Sequence, residues 1–295
     1  VNPLATAQSF SVPSGTWSDL DGTVYSGATS FTLQPYTSRI LYLTDPGQTG
    51  NTGTLGATVF LGGPINWGTN LMSDALRSGG LIPTTEPYTA MGYALENAGA
   101  TVNASVLSTT GNNAPVDWVV VELKNATGGY PTVARRACLV RRNGTVITPD
   151  GNTVITFTTT TTVGKHLVIS HRNHLAVMSG APIATNGQVI DFSTVAATTL
   201  YGTNAMQVNG SRRALWPGRV NSDVMVKYTG GGNDRDPLLT LIGSGTPNAS
   251  VPGYRREDLN MDGAVRYTGS GNDRDLVLGT VGSTAPGATR TQQVP

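Results

Sequence analysis

A short run of oxygen-bearing side chains near the C-terminal end of the sequence has the spacing of a calcium loop. Asp258, Asn260 and Asp262 alternate with other residues, and Gly263 follows directly. Carboxylate and amide oxygens at positions one, three and five of such a loop converge on a hard cation, and the glycine at position six permits the sharp turn. The carbonyl oxygen of Ala264 would be the seventh-position ligand. The run therefore predicts a Ca2+ site.

The carboxylate that should close this loop is not at the sequence position expected for an EF-hand. Position twelve, where an EF-hand carries a bidentate carboxylate, is Gly269. A longer loop, closed by Asp273 or Asp275, is predicted instead. The alternative is that these residues form Asx turns, and that Asn272 and Asp273 cap a following helix.

An internal repeat places a second copy of the loop earlier in the chain. Residues 221–236 align with residues 260–275 at a constant spacing of 39 positions (223 to 262, 236 to 275). Arg219 stands where the first acid would be, and Val224 replaces the glycine. This copy is therefore the weaker calcium candidate, and its oxygen-bearing residues are Asn221, Asp223, Asp234 and Asp236. Each copy continues into an apolar segment that suits one short helix or strand.

The three histidines of the chain form a second candidate site, because His166, His171 and His174 are close in sequence. Such a cluster can bind zinc or supply a general base. On a strand, however, the side chain of His171 would point to the same face of the sheet as the apolar residues two and four positions before it. This predicts a buried ring that forms a hydrogen bond with another buried polar group. The expected partners are Asp117, Glu122, Arg135, Arg136 and Arg172.

The composition indicates a mainly β chain without a broad electrostatic field. Charged residues make up 13% of the chain, and 37 glycines and 17 prolines leave little room for long helices. A formal net charge of +1 disfavours a nucleic-acid or membrane-surface role. No stretch approaches the roughly 18 apolar residues of a membrane span. With Cys138 alone, an intrachain disulfide is excluded.

Short apolar runs separated by turn signals predict an all-β fold built around a β-sandwich or jelly roll. The expected strands lie near residues 58–61, 116–123, 134–140, 153–159 and 166–171, and Asn143-Gly144 predicts a hairpin. The predicted organisation is an N-terminal strand segment (1–44), a Gly-rich linker (45–56), a sandwich domain (57–208) and a C-terminal repeat region (209–295) with calcium loops of EF-hand or dockerin type.

The N-terminal segment has few large apolar residues, so we expect it to bury no core of its own. Its apolar strand residues are Phe31, Leu33, Ile40 and Leu41. Strand addition to another sheet would satisfy their main chain and give them side-chain pockets. The acceptor is either a neighbouring molecule, which makes the segment a donor strand, or the chain's own domain, which gives a monomer.

Several segments in combination resemble a group of secreted proteins of Bacteroidota type, many with a hemagglutinin-like label. They are residues 60–64, 81–83, 116–123, 136–144, 171–175 and 258–275. The chain is also similar to subunits of extracellular filaments in which an N-terminal strand of one subunit completes the sandwich of the next. The resemblance implies an extracellular or cell-surface protein and does not imply an enzyme. The first residues, Val1-Asn2-Pro3, are typical of a processed secreted chain.

The leading hypothesis is a fibre subunit that polymerises with itself, head to tail, by N-terminal strand complementation and is stabilised by Ca2+. The alternative is a monomeric secreted adhesin that binds glycans with the help of calcium. A hydrolase that uses the histidine cluster is a third, weaker hypothesis. Five triplets predict N-glycosylation, at Asn103, Asn125, Asn143, Asn209 and Asn248.

Overall fold

The structure is a computed structural model that describes residues 1–12, 16–26, 30–45, 52–221 and 223–295. It divides into two compact units. The N-terminal unit comprises Val1–Thr52 and Thr158–Thr160, and the main unit comprises Gly53–Phe157 and Thr161–Pro295. Strands outnumber helices in both the sequence pattern and the described structure, so the prediction of a mainly β chain is confirmed.

The N-terminal unit holds five short strands that pair with one another. They are β1 (Gln8–Ser11), β2 (Thr16–Asp19), β3 (Val24–Ser26), β4 (Ser30–Leu33) and β5 (Leu41–Asp45). β1 and β4 form one antiparallel ladder, and β3, β2 and β5 form another. Val12, Tyr25 and Leu33 are buried. Each of the five strands thus has an antiparallel partner within the unit, which contradicts the prediction that they need a sheet elsewhere.

The main unit contains twelve strands before its C-terminal repeats, among the residues described. They are β6 (Gly53–Thr58), β7 (Ile65–Asn66), β8 (Leu71–Met72), β9 (Pro115–Asn125), β10 (Thr132–Arg141), β11 (Val146–Ile147), β12 (Ile155–Phe157), β13 (Lys165–His171), β14 (His174–Met178), β15 (Val189–Asp191), β16 (Met206–Asn209) and β17 (Arg212–Leu215). Short helices α1 (Ala75–Ser78) and α2 (Ala104–Leu107) and a 3-10 turn (Gly111–Asn113) lie between β8 and β9.

A five-stranded antiparallel sheet, in the order β11-β10-β9-β13-β14, forms the centre of the main unit. β9 is its middle strand and is buried over nearly its whole length. A second sheet has the order β12-β6-β15, with β15 parallel to β6. Side chains from both sheets belong to one buried apolar cluster, including Leu55 of β6 and Val121 of β9. The layering of a sandwich or jelly roll stays a prediction.

The β10–β11 turn forms as the sequence predicts. Leu139 and Val140 pair with Ile147 and Val146 across the turn that contains Asn143-Gly144. Gly144 has a φ of 85°, a conformation that side chains with a Cβ rarely adopt. Cys138 lies beside this turn in β10, fully buried, and burial raises the pKa of its thiol to about 12.

Two predicted boundaries differ from the structure. Gly53–Thr58, most of it assigned to the linker, is strand β6, because its alternating small and apolar residues are buried between β12 and β15. The rest of the linker, residues 46–51, lies outside the described residues. The boundary at residue 208 falls inside the β16–β17 hairpin, so it does not separate two domains.

The C-terminal repeats exchange strands with each other. Repeat one contains β18 (Met225–Lys227), α3 (Arg235–Ile242) and β19 (Ser250–Pro252), and repeat two contains β20 (Ala264–Arg266), α4 (Asp273–Val281) and β21 (Thr289–Thr291). β18 pairs with β21, and β20 pairs with β19. Val226, Leu238, Val265 and Val277 share one buried cluster. Each repeat is thus completed by the other, and the apolar segments predicted after each loop are helices.

Candidate functional site

In repeat two, two buried carboxylates organise the backbone of the predicted calcium loop. Asp258 accepts hydrogen bonds from the backbone N–H groups of Asp262 (3.1 Å) and Gly263 (2.9 Å). Gly263 has a φ of 94°, which its place in the turn requires. Asp273 accepts from Leu259 (2.7 Å) and also from the N–H groups of Asn260 and Arg266. Asp273 therefore reaches back across the loop from the start of α4.

The pKa values of these two carboxyl groups are raised. Burial raises the pKa of Asp258 to about 6 and that of Asp273 to about 7. The charge of Asp262 adds to the rise at Asp258, and the charge of Asp258 adds to the rise at Asp273. Within the described residues, only backbone N–H groups donate to these carboxylates. A bound cation or a proton would relieve this concentration of negative charge.

The remaining predicted ligands of repeat two differ in their placement. Asn260 follows Asp258 in the loop, and its amide nitrogen donates to the Gly271 carbonyl oxygen at 2.6 Å. Asp262 is exposed and forms an ion pair with Arg266. Ala264 is the first residue of β20. Asp275 points away from the loop, since it is exposed and binds Arg274 and the Asn272 amide. Of the two closing residues left open by the sequence, the structure brings Asp273 to the loop.

Repeat one reproduces this backbone arrangement. Asp234 accepts from the N–H groups of Val220 (2.8 Å), Asn221 (3.0 Å) and Lys227 (2.9 Å), at the positions that match the donors to Asp273. The Asn221 amide donates to the Gly232 carbonyl oxygen, as Asn260 does to Gly271. Asp236, like Asp275, lies outside the loop and binds Asn233 and Arg235.

The two loops differ at their first position. Arg219 occupies the place of Asp258 in the repeat alignment, and its guanidinium donates to the carbonyl oxygen of Asp223. A cationic side chain thus enters the first loop at the position where the second loop has a carboxylate. This contrast bears on which loop needs an ion, because the first loop has one carboxylate fewer and a positive charge at the position where the second loop has Asp258.

The donor set of the second loop fits a hard cation. Carboxylate, amide and carbonyl oxygens are the ligands that Ca2+ takes, and each carboxylate can accept more bonds than the backbone uses. Within the described residues, no three acidic, histidine or cysteine side chains gather closely enough to hold a metal by themselves. An ion at this loop would therefore rely on Asp258 and Asp273 together with the Asn260 amide oxygen and backbone carbonyl oxygens.

Of the three predicted histidines, His171 and His174 lie in a buried hydrogen-bond network at the turn between β13 and β14, whereas His166 lies apart, with its Nδ1 2.7 Å from the Ser179 carbonyl oxygen. His171 Nε2 lies 3.1 Å from Asp117 Oδ2, and Arg172 Nε donates to the same oxygen at 2.9 Å. All three side chains are almost fully buried. Burial raises the pKa of Asp117, but the Arg172 guanidinium, His171 and a hydrogen bond from Tyr254 together outweigh burial and hold this pKa at about 2. The predicted partnership of His171 and Arg172 with Asp117 is confirmed, and Arg135 likewise pairs with Glu122.

The hydrogen bonds define the protonation of both histidines in this network. His174 Nε2 accepts from the Gly63 N–H at 3.0 Å, so its proton is on Nδ1, 2.7 Å from Asn173 Oδ1. His171 donates from Nε2 to Asp117, which leaves its Nδ1 as an acceptor. Burial lowers the pKa of His171 and lowers that of His174 further, with the nearby charge of Arg172 adding to both shifts. Neither ring has a free nitrogen for a metal.

The network also holds the segment that leads into the second loop, a connection that the sequence did not predict. The Tyr254 hydroxyl donates to Asp117 Oδ1 at 2.7 Å, and the Arg172 guanidinium lies 4.2 Å from the centre of the Tyr254 ring. The Asn173 amide donates to the carbonyl oxygen of Asp258 at 2.7 Å. These contacts join residues more than 80 positions apart, so no local spacing or periodicity reveals them.

The predicted assembly residues are divided between two strands of the N-terminal unit. Phe31 and Leu33 lie in β4, and Leu33 is buried. Leu41 begins β5, while Ile40 precedes it and is 65% exposed. They do not form one free strand.

The predicted glycosylation sites fall into two groups. Asn103, Asn209 and Asn248 are exposed. Asn125 and Asn143 are half-buried, and their side chains bind Lys165 and Asn113.

Comparisons of the chain with protein-family models, with curated proteins and with solved structures find no match. The search for membrane-spanning helices, made over the described residues, finds none of sufficient length and apolar character.

Proposed function

We propose that the chain is a structural subunit of an extracellular fibre and that it associates with copies of itself through its N-terminal unit. The observation that carries this proposal is the apolar surface of that unit. Leu20, Val24, Tyr36 and Ile40 are 73%, 61%, 74% and 65% exposed. In this proposal these side chains are part of the contact with a second copy of the chain.

Strand addition is the mode of contact that this unit favours. β3 and β5 are the edges of their three-stranded sheet within the described residues, and Val24 and Tyr42 on these edges are exposed. An edge strand offers unpaired N–H and C=O groups to another chain, and apolar side chains add affinity. In this mode an edge strand of one copy pairs with a different surface of the next copy. The contact is therefore heterologous, and it continues as an open filament.

Calcium has a stabilising role in this proposal and occupies the second loop. Asp258, Asp273, the Asn260 amide oxygen and the Ala264 carbonyl oxygen would hold it, and the ion would neutralise the buried carboxylates. The first loop has Arg219 in place of the first acid and needs no ion. The predicted participation of Asp236 and Asp275 is not part of the proposal, because both side chains point away from their loops.

The histidine network is structural in this proposal, and the chain is not an enzyme. Asp117, His171 and His174 have no exposed surface, and each ring nitrogen has a partner. A general base must reach a substrate proton, which these groups cannot do in the folded chain.

Electron microscopy tests the proposal directly. The purified chain, with calcium present, is compared with the double variant Ile40→Lys/Tyr42→Lys, because charges on an edge block strand addition. Met91→Lys is the matched control, since Met91 is an exposed apolar residue of the main unit. We expect filaments from the parent and the control and isolated particles from the double variant.

Two results contradict the fibre proposal. Filaments from the double variant would show that assembly does not use the β5 edge. Isolated particles from all three proteins would favour the monomeric adhesin, and binding to a glycan panel would then decide that alternative.

A further inference from the structure

A cleft of about 410 Å3 lies beside the β16–β17 hairpin, away from the calcium loops. This volume is within the range of small-molecule sites, roughly 300–1,000 Å3. Its lining comes from residues 195–208 and from Arg213 of β17, which is the one charged residue among the lining residues described.

Arg213 is a buried cation without a carboxylate partner. It is 5% exposed, and its Nε and Nη2 donate to the backbone carbonyl oxygens of Phe192 (3.2 Å), Thr194 (2.7 Å) and Thr198 (2.9 Å). Within the described residues no acidic side chain forms an ion pair with it. Burial lowers its pKa, and the charge of Asp191 offsets this only in part. A buried charge of this kind favours an anion beside it.

Arg213 has one guanidinium nitrogen left to bind a ligand, and its single positive charge suits a ligand with one negative charge. Its Nε and Nη2 are occupied by carbonyl oxygens, and Nη1 has no acceptor among the described residues. One guanidinium edge can form a charge-assisted bond with a carboxylate. A phosphate monoester, with a charge of about −1.5 to −2, would exceed the single positive charge available.

The rest of the lining combines hydroxyl and amide groups with apolar surface. Thr198, Thr199 and Asn204 supply the polar side chains, and Leu200 and Met206 supply the apolar ones. A sugar ring presents hydroxyl groups at its edge and C–H groups on its faces, which is the same combination. We infer that this cleft binds a hydroxylated monocarboxylate of sugar size, such as a uronic acid, with Nη1 of Arg213 donating to the carboxylate. This inference is independent of the fibre proposal.

Titration calorimetry with D-glucuronate tests the inference on the full chain, with D-glucose as the neutral probe. We expect glucuronate to bind and glucose not to bind. Asn204→Asp should weaken glucuronate binding by about tenfold or more, because it places a like charge in the cleft. Asn204 has a φ of 54°, a backbone conformation that Asp also tolerates. The hydrogen bond from Trp216 Nε1 ends on the backbone carbonyl oxygen of residue 204, so the change of side chain does not remove it. Asn209→Asp, an equal change of charge at an exposed residue outside the lining, is the control and should bind normally.

A second variant, Arg213→Gln, should abolish glucuronate binding. If it fails to fold because three carbonyl oxygens lose their donors, Asn204→Asp still decides the question. Absence of glucuronate binding, equal binding of glucose, tighter binding of inorganic phosphate, or equal loss of binding in Asn209→Asp would each overturn the inference. Equal affinity for acetate would overturn the assignment to a sugar-sized ligand.

Discussion

At the scale of single residues, the buried network around Asp117 shows how neutral histidines are maintained in this protein. His174 accepts a backbone hydrogen bond at Nε2, so a proton there would face the Gly63 N–H donor. His171 likewise has an acceptor nitrogen, Nδ1, that faces His174. Burial is the main cause of their lowered pKa values. Protonation of either ring would also replace a hydrogen bond with two opposed donors.

We predict that His174 makes the chain less stable in mild acid. Its pKa is lowered on folding, so the unfolded chain binds the proton first. The contribution to stability is complete above about pH 6.5 and falls by up to ~1.4 kcal/mol per pH unit below it. In His174→Gln, whose amide can still accept from Gly63, this loss is absent. Melting temperatures of parent and variant should therefore converge between pH 7.5 and pH 5.

The comparison is made at one saturating calcium concentration, because the raised pKa values of Asp258 and Asp273 act in the opposite sense when no cation is bound. A constant difference between parent and variant across this pH range would show that His174 is not the titrating group.

Residue patterns in the sequence predicted part of this network. Strand parity placed His171 in the core, and charge complementarity suggested Asp117 and Arg172 as its partners. Tyr254 and Asn173 were missed, because their contacts depend on how the β13–β14 turn packs against a distant segment. The exclusion of Asp275 from the loop was also beyond sequence reasoning, since spacing alone allows either Asp273 or Asp275 to close it.

At the scale of elements, the β10–β11 turn depends on one glycine. A Cβ at Gly144 would lie 3.0 Å from the Phe60 ring and 3.1 Å from the Val59 carbonyl oxygen. We predict that Gly144→Ala destabilises the chain by about 1–3 kcal/mol more than Gly128→Ala. Gly128 also has a positive φ, but no atom lies within 4 Å of its added Cβ, so it isolates the cost of the backbone conformation. Urea unfolding measures both variants, and equal losses would contradict the steric argument.

The two repeat loops lead to a prediction about calcium stoichiometry. One ion should bind per chain, at the second loop, and Asp258→Asn should abolish that binding. Removal of calcium from a concentration 100 times the dissociation constant should cost about 2.7 kcal/mol of stability. Arg219→Met should lower stability without changing the number of ions. Competition with a fluorescent chelator counts the ions, and a count of two, or an unchanged count in Asp258→Asn, would contradict this assignment.

Element types were largely predictable, whereas boundaries were not. The strands around residues 116–123, 134–140 and 166–171 form β9, β10 and β13, because long apolar runs with β-branched residues leave few alternatives. Gly53–Thr58 was missed because its composition is that of a linker, and only its burial between two strands makes it part of a sheet.

At the scale of the whole molecule, the exchange of strands between the repeats connects the C-terminal end to the central sheet. β21 pairs with β18 of the other repeat, and the Gln292 side chain accepts from the Ala176 N–H of β14 at 2.9 Å. The edge of the central sheet is thus partly satisfied by residues at the end of the sequence.

We predict that deletion of residues 289–295 destabilises the main unit as a whole. The deletion removes the partner of β18 and the acceptor for Ala176, so repeat one and the central sheet should both lose stability. In calorimetry the main unit should melt in one transition at a lower temperature. Gln292→Ala, which removes only the side-chain contact, should cause a smaller shift. Loss of helix at an unchanged temperature of the main transition would show that the repeats fold independently.

The position of Cys138 makes the folded chain a good substrate for site-directed labelling. Its thiol is fully covered and stays protonated at neutral pH, so a maleimide dye has no reactive group to attack. A cysteine introduced at an exposed residue of β1, such as Ser9→Cys, would then be the single point of attachment. Contact between copies of the chain in the proposed fibre could be followed by fluorescence transfer without first removing a native cysteine. The reaction of Cys138 itself would report unfolding of the central sheet.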